Sequence, residues 1–334
     1  MVERKLILAV AGSGKTKYLI DRLNLKERFV IVTYTNTNLN LIKNRIVKRF
    51  GYYPDNIRTQ EYFGFLYNFC IKPFVLFKYK VKGICFNRPK GLYLQECINE
   101  ERRFYYNRLG KFAEDEGIID DIKARLERFY DYLFFDEFQD LGGHDFNFIT
   151  QIAQANIGFL FVGDFFQNTY VTSDDRNVNC NLYKDLEKYC RKLKQKNVLI
   201  DKKTLKNSYR CSPTICNFIR DKIGIEIYSN RKDITKIIPI EDKNSALTIL
   251  RNNAVIKLVY DKKSNSESFK SKNWGECKGE DDYDDTCIIL NKKTAKFWKE
   301  EKLNELSPRT KNKLYVAISR TKGNCYLLDE KLAR

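Results

Sequence analysis

Short apolar runs along this chain alternate with stretches whose apolar residues recur at helical spacing. Residues 5–10 form one such run, which ends in a Gly-rich turn and gives way to a helix-like stretch over 16–23, in the order strand, loop, helix. Residues 28–33, 132–135 and 158–162 repeat the pattern, and the alternation predicts a parallel α/β sheet. Further on, a helix is expected around 213–222, with strand candidates at 247–250, 254–259, 286–290 and 325–328; these predict a second, smaller α/β domain. Between 71 and 128 the pattern blurs into aromatic and basic sequence carrying Lys78, Lys80, Lys82, Arg88, Lys90, Arg102 and Arg103. That segment reads as an insertion into the first domain with a mostly helical base. The Lys-rich stretch 185–206 suits a crossing between domains, with an edge strand at 198–200, and the polar stretch 261–272 reads as a flexible loop. The expected division is 1–200 and 201–334. No internal repeat points to a solenoid.

Composition narrows the partners. The 334 residues carry 61 Lys plus Arg against 43 Asp plus Glu, a net charge of +18, which points to a polyanion such as nucleic acid or an acidic membrane surface. With His144 the sole histidine, catalytic triads built on histidine and multi-His metal sites have little to draw on. The ten cysteines form no CxxC pair and fit reduced thiols in a cytosolic chain. No run of about twenty apolar residues and no signal-peptide pattern occurs, so the expectation is a soluble, cytoplasmic protein without a membrane partner.

The chemistry begins at the first turn. Ala11, Gly12, Ser13, Gly14, Lys15 and Thr16 stand where a strand feeds a helix N-terminus. Backbone N–H groups in such a turn cradle phosphates, Lys15 reaches the β and γ oxygens, and the Thr16 hydroxyl holds Mg²⁺. The general pattern has glycine where Ala9 stands, yet even alone this segment favours phosphate over the competing reading, an ordinary Gly-rich turn. A second element decides for phosphate: residues 134–140 put Asp136 and Glu137 at the end of an apolar strand, the carboxyl edge where ligands bind in parallel sheets. Asp136 suits the Mg²⁺, usually through water, and Glu137 suits the base that deprotonates the attacking water. ATP and Mg²⁺ are therefore the expected cofactors, and ATP hydrolysis the leading chemistry.

With alanine at position 9 and an Asp-Glu-aromatic-Gln-Asp sequence at 136–140, the chain resembles the superfamily 1 helicases of the UvrD, Rep and PcrA type. The resemblance implies two RecA-like P-loop NTPase domains with parallel central sheets, nucleotide bound in the cleft between them, and 3′ to 5′ movement along single-stranded DNA. Further motifs follow in the family's order. Residues 32–36 resemble motif Ia, which assigns Tyr34, Thr35 and Asn36 to the DNA strand. Residues 59–63 resemble a degraded motif Ib, with Phe63 as a base-stacking platform and Glu61 where the family usually has histidine. Residues 162–167 resemble motif III, making Gln167 the γ-phosphate sensor linked to the DNA groove. Residues 205–210 match motif IV, in which Tyr209 stacks on adenine and Arg210 binds the γ-phosphate. Motif V is recognisable at 276–279 and motif VI at 314–320, where Arg320 joins Arg210 as a candidate arginine finger.

The departures from the family matter too. The acidic run 280–285 is about two residues longer than usual; setting Tyr283 against the family's aromatic makes Asp282 the ribose-binding acid. A metal-binding reading of this run competes with the plainer one of solvated loop acids. Ten residues precede Ala11, leaving no room for the family's upstream adenine-reading glutamine motif, and both accessory insertions look curtailed, as in a near-minimal motor. His144 reads as a helix-start histidine satisfied by backbone, with nucleotide or DNA contact as the alternative. Of the 23 Phe and 21 Tyr, most belong to cores. Two functions stay open: an ATP-driven translocase or helicase on single-stranded DNA, with RNA not excluded, and a nucleotide-switched binding subunit acting with a partner such as a nuclease. A fused nuclease is not expected, since no segment of these residues outside the two motor domains would house one.

Overall fold

The computed structural model describes residues 3–89, 96–169, 172, 178–261, 269–275, 277 and 283–333. It divides into two compact units. The first comprises Met1–Leu8, Lys15–Gly163 and Tyr170–Asp201; the second comprises Ala9–Gly14, Asp164–Thr169 and Lys202–Arg334. The second unit thus takes in the start of the Gly-rich turn and the segment after Gly163.

The first unit is built on a six-stranded sheet in the order Ile57–Glu61, Phe29–Thr33, Tyr132–Phe135, Gly158–Gly163, Arg4–Leu8, Leu199–Asp201. All neighbours pair in parallel. The runs Phe29–Thr33 and Gly158–Gly163 are buried at every position, which is why they read as unbroken apolar stretches: a parallel sheet covered on both faces leaves no polar face to alternate with. Gly158 permits close packing, because a Cβ there would lie 2.3 Å from the Tyr132 ring. At the edge, Leu199–Asp201 pairs with Arg4–Leu8, and Lys5 meets Asp201 at 3.2 Å across that pairing. The inserted segment holds the helices Lys72–Tyr79, Leu109–Asp115 and Ile119–Phe129 and a short parallel strand pair, Gly83–Cys85 with Arg103–Tyr105.

The second unit carries a five-stranded parallel sheet in the order Ile237–Ile240, Cys325–Asp329, Thr286–Leu290, Ile256–Val259, Ser271–Asn273. Its core gathers Ile215, Ile219, Leu258, Trp274, Ile288, Leu314 and Leu327. Two expectations are corrected here. Residues 247–250 are not a strand but part of the helix Lys243–Arg251, because Asp242 caps that helix by accepting from the Asn244 and Ser245 N–H groups, both at 2.9 Å, while Ala246 and Leu250 bury one face at i, i+4 spacing. Within 261–272, Ser271 and Lys272 belong to the edge strand Ser271–Asn273, which the next residue anchors: Trp274 is fully buried and its indole donates to the Leu258 carbonyl at 3.0 Å. No helix among the described residues is long and apolar enough to cross a membrane.

Candidate active site

In the first unit the strands Arg4–Leu8 and Tyr132–Phe135 end on the same, carboxyl edge of the sheet, separated by Gly158–Gly163. The helix Lys15–Ile20 starts beyond one end and Asp136 follows the other. Thr16 donates its hydroxyl to Asp136 Oδ2 at 3.0 Å, and Lys15 Nζ lies 4.0 Å from Glu137 Oε1. Burial, and then the neighbouring Glu137 charge, push the Asp136 carboxyl up to about 6, against the pull of Lys15 and Thr16. A hydroxyl and a buried carboxylate converging at one point are hard oxygen donors that favour a small divalent cation, so these residues fit Mg²⁺.

Glu137 adopts a left-handed backbone, φ 59°, a conformation that a non-glycine residue holds only when its surroundings fix it. They do so here. Its N–H donates to Asp136 Oδ1 at 3.0 Å, and the Gln139 side-chain amide donates to Glu137 Oε2. Gln139 in turn needs Gly163, since a Cβ at that position would stand 2.6 Å from Gln139 Oε1.

The second unit holds the rest of the Gly-rich turn. Gly12 (φ 69°) and Gly14 (φ 83°) take left-handed conformations that shape the loop. A Cβ at Gly12 would lie 2.6 Å from Arg210 Cβ and 2.8 Å from Ser208 Oγ, so only glycine allows this approach. The Tyr209 N–H donates to the Gly12 carbonyl at 2.9 Å, and the Val10 N–H donates to Leu205 at 3.0 Å. Ser13 is buried and donates its hydroxyl to the Val10 carbonyl. Tyr209 itself is 69% exposed, while Arg210 is half-buried and reaches the Ser319 carbonyl at 3.4 Å. Arg320, two residues beyond the helix Pro308–Ile318, is 3% exposed. Gln167 is buried at the end of the single turn Phe165–Gln167, which Asp164 caps by accepting from the Phe166 N–H at 3.1 Å.

Tyr315 joins three of these segments, a role that motif reading missed. Its buried hydroxyl donates to Asp164 Oδ2 and accepts from the Ala11 N–H, both at 2.8 Å. Burial raises its pKa well above 10, so it keeps the proton it donates. Gln139 was missed as well; it sits inside the quoted motif, but only Glu137's backbone conformation reveals what it holds.

The nucleic-acid candidates lie in the first unit. Thr35 caps the helix Asn36–Phe50 by accepting from Asn38, and Asn36 is exposed on its first turn. Tyr34 is half-buried, with its ring 5.8 Å from that of Phe63. Phe63 is only 5% exposed, its ring covered by Phe86 and Tyr106. Glu61, where the family usually has histidine, caps the helix Tyr62–Gly64, accepting from the Phe63 and Gly64 N–H groups at 3.1 and 3.0 Å. His144 stands on the first turn of the helix Gly143–Ile152, and its Nδ1 pairs with Glu114 Oε2 at 2.7 Å. Asp282, and all of motif V except Cys277, lie outside the described residues.

No protein-family model matches this chain, and no curated protein matches it. Among solved structures it is similar to the arterivirus nonstructural protein 10, a helicase, both in complex with DNA and alone. Each superposition has a TM-score of 0.51 at 14% sequence identity and covers 97% of this chain, with 61% and 59% of the respective helicase chains. The chain therefore spans about three fifths of the length of those helicases. Together with the parallel six- and five-stranded sheets, this likeness establishes the fold: α/β, with two RecA-like domains of the kind found in helicases.

Proposed function

We propose that this chain is an ATP- and Mg²⁺-dependent translocase or helicase of the UvrD type, working 3′ to 5′ on single-stranded DNA, with residues 1–200 and 201–334 as its two motor domains. The observation that carries the reading is the convergence of Lys15, Thr16, Asp136 and Glu137 at the carboxyl edge of one parallel sheet. The arterivirus helicase, solved with DNA on a similar fold, supports a nucleic-acid track.

In this reading Thr16 and Asp136 hold the magnesium, which when bound supplies charge neutralisation at the β- and γ-phosphates. Backbone N–H groups of the Gly-rich turn orient the phosphates, and Lys15 neutralises them. Glu137 takes the proton of the attacking water, and Gln139 fixes the carboxylate that does so. Arg210 and Arg320 supply cations for charge developing on the transferred group, and Gln167 senses that group. The exposed ring of Tyr209 stacks on adenine, and Asp282 binds the ribose. Tyr34, Thr35 and Asn36 belong to the nucleic-acid contact, while Phe63, expected there as a stacking platform, is covered by Phe86 and Tyr106 and supports the contact from beneath.

The test is ATP turnover with and without single-stranded DNA. Glu137→Gln should keep ATP binding and lose about 10²-fold or more of turnover, and Lys15→Ala should abolish it. Parent-level hydrolysis by Glu137→Gln would remove Glu137 as the base.

A further inference from the structure

The aromatic platform expected at Phe63 is covered, but the rings that cover it continue to the surface. Tyr34 meets Phe63 at 5.8 Å between centroids, Phe63 meets Phe86 at 5.8 Å edge-on, and Phe86 lies over Tyr106 at 6.1 Å with ring planes 22° apart. Phe63 is 5% exposed and Tyr106 is half-buried, whereas Phe86 is 67% exposed. The ring is held in place by its backbone: Phe86 follows directly on the strand Gly83–Cys85, which pairs with Arg103–Tyr105, and Tyr106 follows directly on that partner strand. Arg88 Nε donates to the Tyr106 hydroxyl at 3.1 Å, which sets a guanidinium at the edge of the same rings. Lys82 and Arg102, both exposed, immediately precede the two strands at the end away from Phe86 and are joined by a backbone hydrogen bond at 2.8 Å.

We propose that Phe86 is the base-stacking residue of the first unit, receiving one base of a single-stranded nucleic acid on its exposed ring while Arg88 faces the neighbouring phosphate. The inference rests on the nucleic-acid reading above and names the residue through which that reading acts. A large apolar ring left in water costs free energy unless something covers it. A nucleobase has the flat face to stack there, and the Arg88 guanidinium at the edge of the rings suits the backbone phosphate that comes with it. Buried Phe63 then acts as a positioning residue, a rigid floor that fixes the angle of Phe86.

The experiment measures binding of the full chain to a fluorescently labelled thymidine oligonucleotide and to the same oligonucleotide carrying abasic sites. Phe86→Ala should weaken binding of the intact strand by about 5- to 150-fold, the equivalent of one lost base stack. It should change binding of the abasic strand far less, and Phe86→Trp should restore affinity. A purely structural role for Phe86 would instead weaken both strands alike, and that result overturns the proposal. So does an unchanged affinity in Phe86→Ala, including the case where the substitution alters self-association by sedimentation instead, which would mark the ring as a contact between copies. In either case, single-strand stimulation of ATP turnover by the parent leaves the proposed function standing. A parent protein that binds neither strand overturns both.

Discussion

At the residue scale, the residues that converge at the sheet edge were legible as motif and those that support them were not. Lys15, Thr16, Asp136 and Glu137 announce themselves because glycines, a lysine and adjacent acids at strand ends have few other reasons to occur together. Gln139 and Gly163 could not be read the same way, since their role depends on a left-handed Glu137 that no propensity predicts. Asp145 is the plainest residue that sequence did not single out. It is fully buried on the helix Gly143–Ile152 and faces Tyr62, Thr172, His144 and the Gly110 backbone; burial pushes its carboxyl up from 3.8 to about 7, against the pull of those neighbours. Because its folded value lies above the unfolded one, the folded protein holds a proton that the unfolded chain gives up between about pH 4 and 7. The stabilisation is complete below that window and lost as pH rises through it. Asp145→Asn, neutral throughout, should therefore gain on the parent across the window, by up to roughly 1.4 kcal/mol per unit of pKa shift. Urea midpoints of both proteins at pH 5, 6, 7 and 8 check this; parallel curves would show that Asp145 does not titrate there.

At the scale of elements, fully buried strands were readable and polar or short ones were not. Phe29–Thr33, Tyr132–Phe135 and Thr286–Leu290 are apolar because both faces are covered. Residues 247–250 misled because four residues of Leu, Thr, Ile and Leu fit a strand as well as one helical turn, and the deciding signal was the cap at Asp242. Ser271–Asn273 is polar and pairs on one side only, so its strand character comes from its neighbour Ile256–Val259 rather than from its own residues. The helix Pro308–Ile318 carries a subtler dependence. Tyr315 ties it to Asp164 and Ala11 through one buried hydroxyl, with its ring 6.3 Å from that of Phe166. Tyr315→Phe keeps the ring packing and takes away one buried hydrogen bond from each of Asp164 and the Ala11 N–H, which should cost about 1–3 kcal/mol. The expected readout is a lower urea midpoint for the second unit at unchanged secondary-structure content by circular dichroism. An unchanged midpoint would mean that water satisfies both groups.

At the scale of the molecule, a net charge of +18 and two RecA-like domains frame what the proposed function should look like on a nucleic acid. Charge alone gives affinity for any polyanion, so direction has to come from the motif set, which in this chain resembles the UvrD type. A protein that neutralises several phosphates of a single strand loses affinity by roughly 0.7 powers of salt concentration for each one, because the displaced counterions return. Stacking at a ring such as Phe86 is far less sensitive to salt. Binding should therefore fall steeply between low and physiological salt yet keep a residue that Phe86→Ala removes. Among its described residues the inserted segment of the first unit holds the helices Lys72–Tyr79, Leu109–Asp115 and Ile119–Phe129 and one short strand pair, a shorter insertion than the UvrD-type resemblance leads one to expect. Translocation should accordingly be more robust than unwinding, which should need several copies on one strand or a partner. Displacement of streptavidin from oligonucleotides biotinylated at one end separates these features: ATP should speed release from the 5′ end, and the effect should vanish in Glu137→Gln. Preferential release from the 3′ end would reverse the assigned direction, and equal rates with and without ATP would leave a binding protein in place of a motor.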